Sequence, residues 1–304
     1  MKKKTLKILA GCLAAILLLG GCGKKEVPEE TEPEQIILFP DAADYPRVDG
    51  STACLPLMAQ VMADTCEVPL EDVQSQVYAS KTATAWRNLV TKEADLLLVY
   101  EMPEQVQQWW EEAYPGIKLD VSPIGRDALV FLVNGLNPVE TLSQQELINI
   151  YAGRITNWSH VGGDDLPIVA FQRDETSGSQ TLFKKLLMQG KEPMEAPANL
   201  RPGDMGELVE RIADYNNTAN ALGYSVYYYV SQMKSISGLR MIAVDGVAPT
   251  DATISTGSYP LTNDFYVAIR SDEPEDSPAR QLYNWLCGTE GVRALQASGY
   301  VPVK

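Results

Sequence analysis

The chain has 304 residues, of which 45% are hydrophobic and 21% are charged. Its 40 acidic residues exceed its 25 lysines and arginines, which gives a net charge of −15. A surface this acidic repels nucleic acid and anionic lipid, so nucleic-acid binding is excluded as a function. The length is enough for one large or two medium-sized domains.

The N-terminus has the pattern of an export signal. Lysines lead the segment MKKKTLKILAGCLAAILLLGGC, and the apolar run 8–19 is shorter than the roughly 20 residues of a membrane-spanning helix. This pattern predicts a secretory signal peptide over residues 1–21, with an uncleaved anchor as the alternative. Leu-Gly-Gly-Cys also resembles the lipobox of bacterial lipoproteins, which implies cleavage before Cys22 and lipid attachment to its sulfur.

A polar, acidic and proline-containing segment follows at 22–35. Its composition is typical of a disordered tether between a lipid and a folded domain. The N-terminal region therefore predicts an extracytoplasmic protein that is lipid-anchored to the cell membrane.

Runs with strand character and runs with helical periodicity alternate along the rest of the chain. Strands are predicted at IILFP (36–40), QSQVYAS (74–80), ADLLLVY (94–100), KLDVSPIG (118–125), DALVFLVN (127–134), LPIVAF (166–171), ALGYSVYYYV (221–230), LRMIAVDG (239–246) and YPLTNDFYVAI (259–269). Helices are predicted from about Ser51 to 65, at 82–93, from Pro103 to 114, at 142–153 with Ser143 as N-cap, at 181–188, 206–215, 277–288 and 290–300.

The alternation predicts an α/β fold with mostly parallel sheets. The strands DALVFLVN and YPLTNDFYVAI lie on either side of a central block. If the chain crosses to a second lobe at the first strand and returns at the other, two α/β lobes share a two-strand hinge. Lobe 1 is then 36–126 with 260–304, and lobe 2 is 127–259, each of normal domain size.

The stretch RDETSGSQ (173–180) lies between a predicted strand and a predicted helix. The first turn of a helix has unpaired N–H groups and a partial positive charge. Gly178 permits close approach of a ligand, Ser177 and Ser179 offer hydroxyls, and the Arg173 guanidinium suits an oxyanion. The alternative is that Ser177 only caps the helix while Arg173 and Glu175 form a surface ion pair.

Two further loops have the same character. DGSTACLP (49–56) places Gly50, Ser51 and Thr52 before a helix, and YASKTATAW (78–86) places Ser80, Lys81 and Thr82 before another. Helix N-termini gather at the carboxyl ends of parallel strands, so the three loops predict one anion-binding cleft. The acidic net charge does not exclude such a site, because backbone N–H groups can form it locally.

The sequence resembles the phosphate-binding proteins of bacterial ABC importers over roughly residues 45–304. The resemblance rests on the segments DGSTACLP, IGRDALVFLVN, LSQQELINIYAGRITNWSHVGG, QRDETSGSQTLF, ALGYS and YPLTNDFY. Its most specific parts are I-Y-x-G-x-I-T-N-W and R-x-x-x-S-G-[ST]. The resemblance implies a two-lobed, type II periplasmic-binding-protein (venus-flytrap) fold.

The resemblance also implies which residues touch the ligand. Thr52 and the N–H of Ala53, beside Ser51, contact the oxyanion from lobe 1, and the contacts from lobe 2 are Arg173, Ser177, Gly178 and Ser179. Asp95 matches an aspartate that accepts a proton from bound hydrogen phosphate, a contact that repels sulfate. The alternative is that Asp95 only caps or starts a strand.

The second loop departs from the family pattern. Thr82 stands where the family has a serine, but Lys81, Ala83 and Ala85 replace the neighbouring glycines. The lysine either pairs with an anion or closes off part of the pocket. This departure leaves open whether the ligand is phosphate or another anion.

Catalysis is not expected. His160 is the only histidine, and TSGSQ is not a G-x-S-x-G nucleophile elbow. The sequence has no H-x-x-x-H, C-x-x-C or carboxylate cluster with metal-ligand spacing, so neither a metal nor a cofactor is predicted.

The leading hypothesis is a lipid-anchored, monomeric solute-binding protein that closes on phosphate or a related oxyanion and delivers it to an ABC permease. Contacts from both lobes then stabilise the closed state that the membrane partner recognises. The alternatives are a sensory or adhesion module and a binder of a different small solute, both with the same fold.

Overall fold

The computed structural model describes residues 36–214, 219–233 and 237–303. The predicted signal peptide (1–21), the predicted lipidation site Cys22 and the predicted tether (22–35) lie outside these ranges. No helix within the described ranges is long and apolar enough to cross a bilayer.

Helices and strands alternate along most of this region. The strands are β1 (Val48–Gly50), β2 (Leu96–Val99), β3 (Leu119–Asn134), β4 (Thr141–Leu142), β5 (Val169–Ala170), β6 (Ala221–Val226), β7 (Leu239–Val244), β8 (Thr262–Arg270) and β9 (Val301–Pro302). The helices are α1 (Leu55–Cys66), α2 (Leu70–Val73), α3 (Thr82–Thr91), α4 (Glu104–Ala113), α5 (Gln144–Tyr151), α6 (Gly178–Leu182), α7 (Met205–Asp214), α8 (Asp251–Ser255), α9 (Pro278–Leu286) and α10 (Thr289–Ala297).

The long strand β3 belongs to both lobes of the fold. Residues 119–128 of β3 pair with β8, and β8 pairs with β2, which pairs with β1. Residues 129–133 of the same strand pair with β6, and residues 131–134 with β7. The predicted lobe boundary between residues 126 and 127 therefore falls inside one continuous strand, where separate strands were expected at 118–125 and 127–134.

The expectation of mostly parallel sheets is wrong. Among the strands within the described ranges, only β1–β2, β4–β7 and β5–β6 are parallel pairs, and β3 runs antiparallel to each of its neighbours β6, β7, β8 and β9. The reason is the connection between the lobes. The chain leaves the first sheet along β3 and returns along β8, so these two strands lie side by side in opposite directions.

Strand β2 is buried on both faces, as its continuous apolar run predicts. Leu96 and Leu98 face the main core of the molecule. Leu97 and Val99 face the opposite way, into a smaller core that also contains Trp86 of α3. Helices therefore cover both sides of the first sheet, and the residue that follows β2 is positioned by packing on both faces.

Two predicted strands are absent. In the segment 36–40, the N–H groups of Leu38 and Phe39 both donate to the carbonyl of Thr65 at 3.0 Å, so this segment caps the end of α1 instead of joining a sheet. In 74–80, the N–H of Val77 donates to the carbonyl of Val73 at 3.2 Å and continues the turn of α2. Both segments have strand composition, but their backbone groups are satisfied by helix ends.

The predicted helices are present, and their caps follow the sequence. Ser143 and Glu146 form a reciprocal capping box at the start of α5, and Gly153 adopts a φ of +71° after that helix. Pro103 is the N-cap of α4. Helix α6 continues directly into a π-helical segment, Phe183–Met188, so the helix after RDETSGSQ is longer than α6 alone.

Candidate functional site: a cleft between the lobes

A cleft of about 480 Å³ opens where three strand-to-helix loops meet. The loops follow β1, precede α3 and precede α6. Of the predicted ligand residues, the cleft brings together Ser51, Thr52, Ala53, Thr82, Arg173, Ser177, Gly178 and Ser179. The N-terminal ends of α3, α6 and the turn before α1 thus face the same cleft, and this arrangement suits an anion.

The loop after β1 lies directly against β2. A Cβ on Gly50 would lie 1.8 Å from the carbonyl oxygen of Leu98, so only glycine fits there. The N–H of Ser51 donates to the same oxygen at 3.1 Å. The chain then enters the turn Thr52–Cys54, which leads into α1. Thr52 and Ala53 are consequently held at the rim of the cleft by backbone contacts.

The hydroxyl of Ser51 links three parts of lobe 1. Ser51 is 3% exposed, and its Oγ accepts from the N–H of Tyr100 at 3.1 Å. The same Oγ lies 2.8 Å from Oγ1 of Thr82 at the start of α3. These bonds occupy Ser51 in joining the loop after β1 to β2 and α3. A direct contact between Ser51 and a ligand therefore stays a prediction.

Asp49 organises both loops of lobe 1, and the sequence analysis missed it. Its buried carboxylate accepts from the N–H groups of Gly50 at 2.6 Å and Ser80 at 2.8 Å. It also accepts from the side-chain amide of Asn88 at 2.8 Å. The signal in the sequence was the position of Asp49, directly before Gly50-Ser51-Thr52, together with Ser80 in the next hydroxyl-containing loop.

Lys81 has an unusual backbone conformation. Its φ is 74° and its ψ is 159°, a combination that glycine adopts readily and that strains other residues. Lys81 is the N-cap residue of α3 and lines the cleft. The resemblance implies a glycine at this position, and Lys81 accordingly occupies a backbone conformation that is typical of glycine.

The RDETSGSQ loop bears on the alternative that Ser177 caps the helix while Arg173 and Glu175 form a surface ion pair. Ser177 is the N-cap of α6, and its Oγ accepts from the N–H of Gln180 at 3.2 Å. Glu175 pairs with Lys184, at 2.6 Å, and not with Arg173. Ser177 thus caps the helix as that alternative stated, while the expected surface ion pair of Arg173 is not formed.

Arg173 is buried in the cleft wall with a guanidinium that lacks hydrogen bonds to the described residues at two of its three nitrogens. It is 5% exposed, and its Nε and Nη1 have no hydrogen-bond partner among the described residues. Burial lowers the pKa of Arg173, opposed by the fields of Tyr224 and of the acidic Asp204 and Asp174. Two unbonded nitrogens on a buried guanidinium are costly, so this geometry favours an anionic ligand at Arg173.

A polar network fixes the backbone of Arg173. Its N–H donates to the hydroxyl of Tyr224 at 3.0 Å, and that hydroxyl in turn donates to the side-chain carbonyl of Gln180. The ring of Tyr224 stacks on Phe183, with centroids 4.4 Å apart and planes 2° from parallel. The network joins the loop before α6 to the core of lobe 2, so the guanidinium is held by a rigid support.

The lobes touch across the cleft in the described conformation. A Cβ on Gly178 of lobe 2 would lie 2.6 Å from Oγ1 of Thr82 in lobe 1. Lys185 pairs with Glu101 at 2.8 Å, and the side-chain amide of Gln105 donates to the carbonyl of Glu175 at 3.1 Å. The cleft volume therefore belongs to a conformation in which the two lobes are already in contact.

Asp95 does not lie in the cleft. It precedes β2, whereas the cleft lies at the other end of that strand, next to Tyr100. Its carboxylate pairs with the guanidinium of Arg47 at 2.5 Å and accepts from the Arg47 N–H at 2.9 Å. The predicted proton-accepting role is corrected, because the direction of β2 carries Asp95 to the opposite edge of the sheet. The alternative, a residue that starts the strand, is right.

Tyr100 stands at the cleft end of β2 and connects the site to the hinge. Its hydroxyl donates to Asp127 at 2.5 Å, and the Asp127 carboxylate also accepts from the N–H of Tyr228 at 3.0 Å. Asp127 lies in β3 just before the pairing with β8 ends. Burial raises the pKa of Asp127 to about 6. Sequence reasoning missed both residues, because their partners are remote in the chain.

Two further carboxylates, missed in the sequence, line the cleft. The Oδ1 of Asp174 accepts from the N–H and hydroxyl of Thr176, at 2.9 and 2.5 Å. The Oδ1 of Asp204 accepts from the N–H of Glu207, at 2.8 Å. Both stabilise their own loops. No group of three or more potential metal ligands occurs within the described ranges.

A two-lobed α/β fold whose cleft gathers helix N-termini defines the class of venus-flytrap solute-binding proteins. The sequence profile of the PBP superfamily domain matches residues 40–289. This chain belongs to that superfamily.

The chain is also similar to individual proteins of this superfamily. It is 26% identical over 310 residues to the phosphate-binding protein PstS of Bacillus subtilis, which covers 100% of this chain and 95% of the relative. Among solved structures, it is similar to a putative phosphate ABC transporter substrate-binding protein with bound phosphate from Clostridium perfringens, with a TM-score of 0.65 and 21% identity over 84% of this chain and 98% of that one. An ABC-type phosphate transport receptor from Vibrio cholerae gives a TM-score of 0.60 and 23% identity, with 84% and 98% covered.

Proposed function

We propose that this protein is an extracytoplasmic solute-binding protein that captures phosphate, or a related oxyanion, between its two lobes and delivers it to the permease of an ABC transporter. The relatives named above support the class of ligand. The observation that carries the proposal in this chain is the buried guanidinium of Arg173, whose Nε and Nη1 have no partner within the described ranges.

An oxyanion satisfies that guanidinium in a way that a neutral ligand does not. The planar N–H groups of arginine match two oxygens of a phosphate, and such charge-assisted bonds are roughly twice as strong as neutral ones. Because burial lowers the pKa of Arg173, the unliganded protein pays for holding this charge, and a bound anion removes that cost.

The remaining contacts come from both lobes. Thr52 and Ala53 offer the first N–H groups of the turn before α1, and Thr82 stands at the start of α3. Gly178 and Ser179 offer the first N–H groups of α6. A ligand held by both lobes stabilises their contact, and the permease then recognises the closed form. Binding and release are the whole task, so we propose no catalytic step, metal or cofactor.

The N-terminal sequence supports the proposed location. We propose that residues 1–21 are removed, that Cys22 carries the lipid, and that 22–35 connects the lipid to the folded region. The protein would then act as a monomer at the outer face of the cell membrane. Mass spectrometry of the membrane-extracted protein tests this, since a lipid-modified Cys22 at the new N-terminus is expected.

Calorimetric titration of the purified protein tests the ligand. Phosphate, sulfate, molybdate and small organic anions are titrated in turn at constant ionic strength. Saturable heat with phosphate, together with a rise in the unfolding temperature, is the expected result. Absence of both heat and thermal shift at millimolar phosphate would show that the ligand assignment is wrong.

A further inference from the structure

We propose that Lys81 is a specificity-determining residue that contacts the ligand and makes the cleft select doubly charged oxyanions. This inference rests on the proposed function and adds the charge state of the ligand. Lys81 lines the same cleft as Arg173 and therefore places a second cation there.

The backbone of Lys81 fixes where its side chain begins. The neighbouring Ser80 is held by the Asp49 carboxylate through both its N–H and its hydroxyl, at 2.8 and 2.5 Å. On the other side, the Lys81 carbonyl accepts from the N–H of Ala85 at 2.9 Å and begins α3. Hydrogen bonds on both sides thus hold the backbone of Lys81, whose φ is 74°, and the residue lines the cleft.

The conformation argues for use of the side chain. Glycine adopts this combination of φ and ψ at little cost, and a residue with a Cβ persists there only where the surroundings impose it. Glycine at this position is expected to remove the strain and to raise stability. The strained position is therefore occupied by the residue that adds a charge to the site.

The charge of Lys81 is available to a ligand. Lys81 is exposed and forms no ion pair with any residue that the structure describes. Lys184 and Lys185, which line a separate pocket, differ, because Lys184 pairs with Glu175 at 2.6 Å and Lys185 pairs with Glu101 at 2.8 Å. Lys81 and Arg173 together match the two charges of a dianion.

The acceptor that the family resemblance implied for the proton of hydrogen phosphate lies outside the cleft. Asp95 lies at the far end of β2, and the hydroxyl of Tyr100, at the near end, donates to Asp127. Asp174 and Asp204 each accept backbone N–H groups of their own loops through Oδ1. In the proposed site the two cations of Lys81 and Arg173 select the anion by its charge, so sulfate, a dianion, competes with phosphate.

The test compares phosphate binding at pH 8, where phosphate is mainly doubly charged, with binding at pH 5.5, where it is mainly singly charged. The dissociation constant is measured by calorimetry for the native protein, Lys81→Met, Lys81→Arg and the control Lys184→Met. We expect Lys81→Met to weaken binding at least tenfold at pH 8 and less than threefold at pH 5.5. Lys81→Arg should stay within threefold of the native protein, and Lys184→Met within twofold at both pH values.

Each variant is compared with the native protein at the same pH, so any effect of Asp127 protonation on the dissociation constant is common to both proteins and cancels. Lys81→Gly is a second variant that also removes the positive-φ strain, and it should lose affinity like Lys81→Met while its unfolding temperature rises. Equal affinities of Lys81→Met, Lys81→Gly and the native protein at pH 8 would overturn the inference and leave the proposed function standing. If the native protein binds neither phosphate nor sulfate at either pH, the proposed function fails and the inference fails with it.

Discussion

Gly178 and Thr82 face each other across the cleft so closely that a Cβ on residue 178 would lie 2.6 Å from the Thr82 Oγ1. Gly178 begins α6 in lobe 2, and Thr82 begins α3 in lobe 1. The contact between these two helix starts is therefore a direct measure of how closely the lobes approach. It makes the glycine a requirement for closure and not only for ligand access.

Gly178→Ala is expected to weaken phosphate binding about tenfold, or ~1.4 kcal/mol, because the added methyl group holds the lobes apart. Gly178 is the first residue of α6 and has an ordinary backbone conformation, so alanine at this position should leave the fold of the free protein intact. Calorimetry gives the affinity, and small-angle X-ray scattering with phosphate shows whether closure is reduced.

The controls for this prediction use the facing residue. Thr82→Ala removes the Oγ1 that the new methyl group meets, so the double variant should bind more tightly than expected from the sum of the two single changes. Gly116→Ala adds a methyl group with nothing within 4 Å and should change nothing. Simple additivity of Gly178→Ala and Thr82→Ala would contradict the steric explanation.

Arg173→Met is expected to have opposite effects on the free and the bound protein. Removal of a buried, unpartnered charge should raise the free energy of unfolding without ligand by about 1–2 kcal/mol. Phosphate affinity should fall by about 2 kcal/mol or more, because a charge-assisted bond is lost. Denaturant unfolding with and without phosphate measures both effects.

Arg293→Met is the matched control, since Arg293 is 47% exposed and lies 4.0 Å from Glu290. It should change stability by less than about 0.5 kcal/mol and leave binding unchanged. A destabilised Arg173→Met protein that still binds phosphate with native affinity would return Arg173 to a purely structural role.

The hinge carboxyl of Asp127 makes stability depend on pH. Burial raises the pKa of Asp127 to about 6 in the folded protein, against about 3.9 when unfolded. Between these values the folded state binds the proton more strongly, so this contribution is complete below about pH 4 and is lost as the pH rises through 6. We expect a loss of about 2–3 kcal/mol relative to Asp127→Asn between pH 4 and pH 7.

The measurement is the free energy of unfolding of the native protein and of Asp127→Asn at several pH values in this range. The substitution changes hydrogen bonds by an amount that does not depend on pH, so only the difference in slope is diagnostic. Parallel pH profiles for the two proteins would show that Asp127 does not hold its proton in the hinge.

Asp95→Asn tests the corrected position of that residue. The carboxylate pairs with Arg47, whose side chain is 60% exposed, far from the ligand donors, so stability should fall by about 1 kcal/mol or less. The dissociation constants for phosphate and sulfate should stay within twofold of the native values, as calorimetry can show. A changed ratio between the two anions would restore Asp95 to ligand selection.

Much of the fold was predictable because it depends on residues that are close in the chain. The capping box of Ser143 and Glu146, the apolar run 94–100 and the loops before α3 and α6 all have local signals. The segments 36–40 and 74–80 misled the prediction for the same reason. Their composition suits a strand, but only the folded chain decides whether a ladder partner is present.

The candidate site divides in the same way. The sequence by itself determined where helices begin with small hydroxyl residues and where Arg173 stands beside one of them, and from this it predicted an anion-binding element, because residue type and the N-terminal amides of a helix are local properties. Only the tertiary structure decided that Asp95 lies at the wrong end of β2, that Asp127 is buried with Tyr100, and that Gly178 meets Thr82. These relationships join residues far apart in the chain, and their distances follow from how strands run and lobes meet.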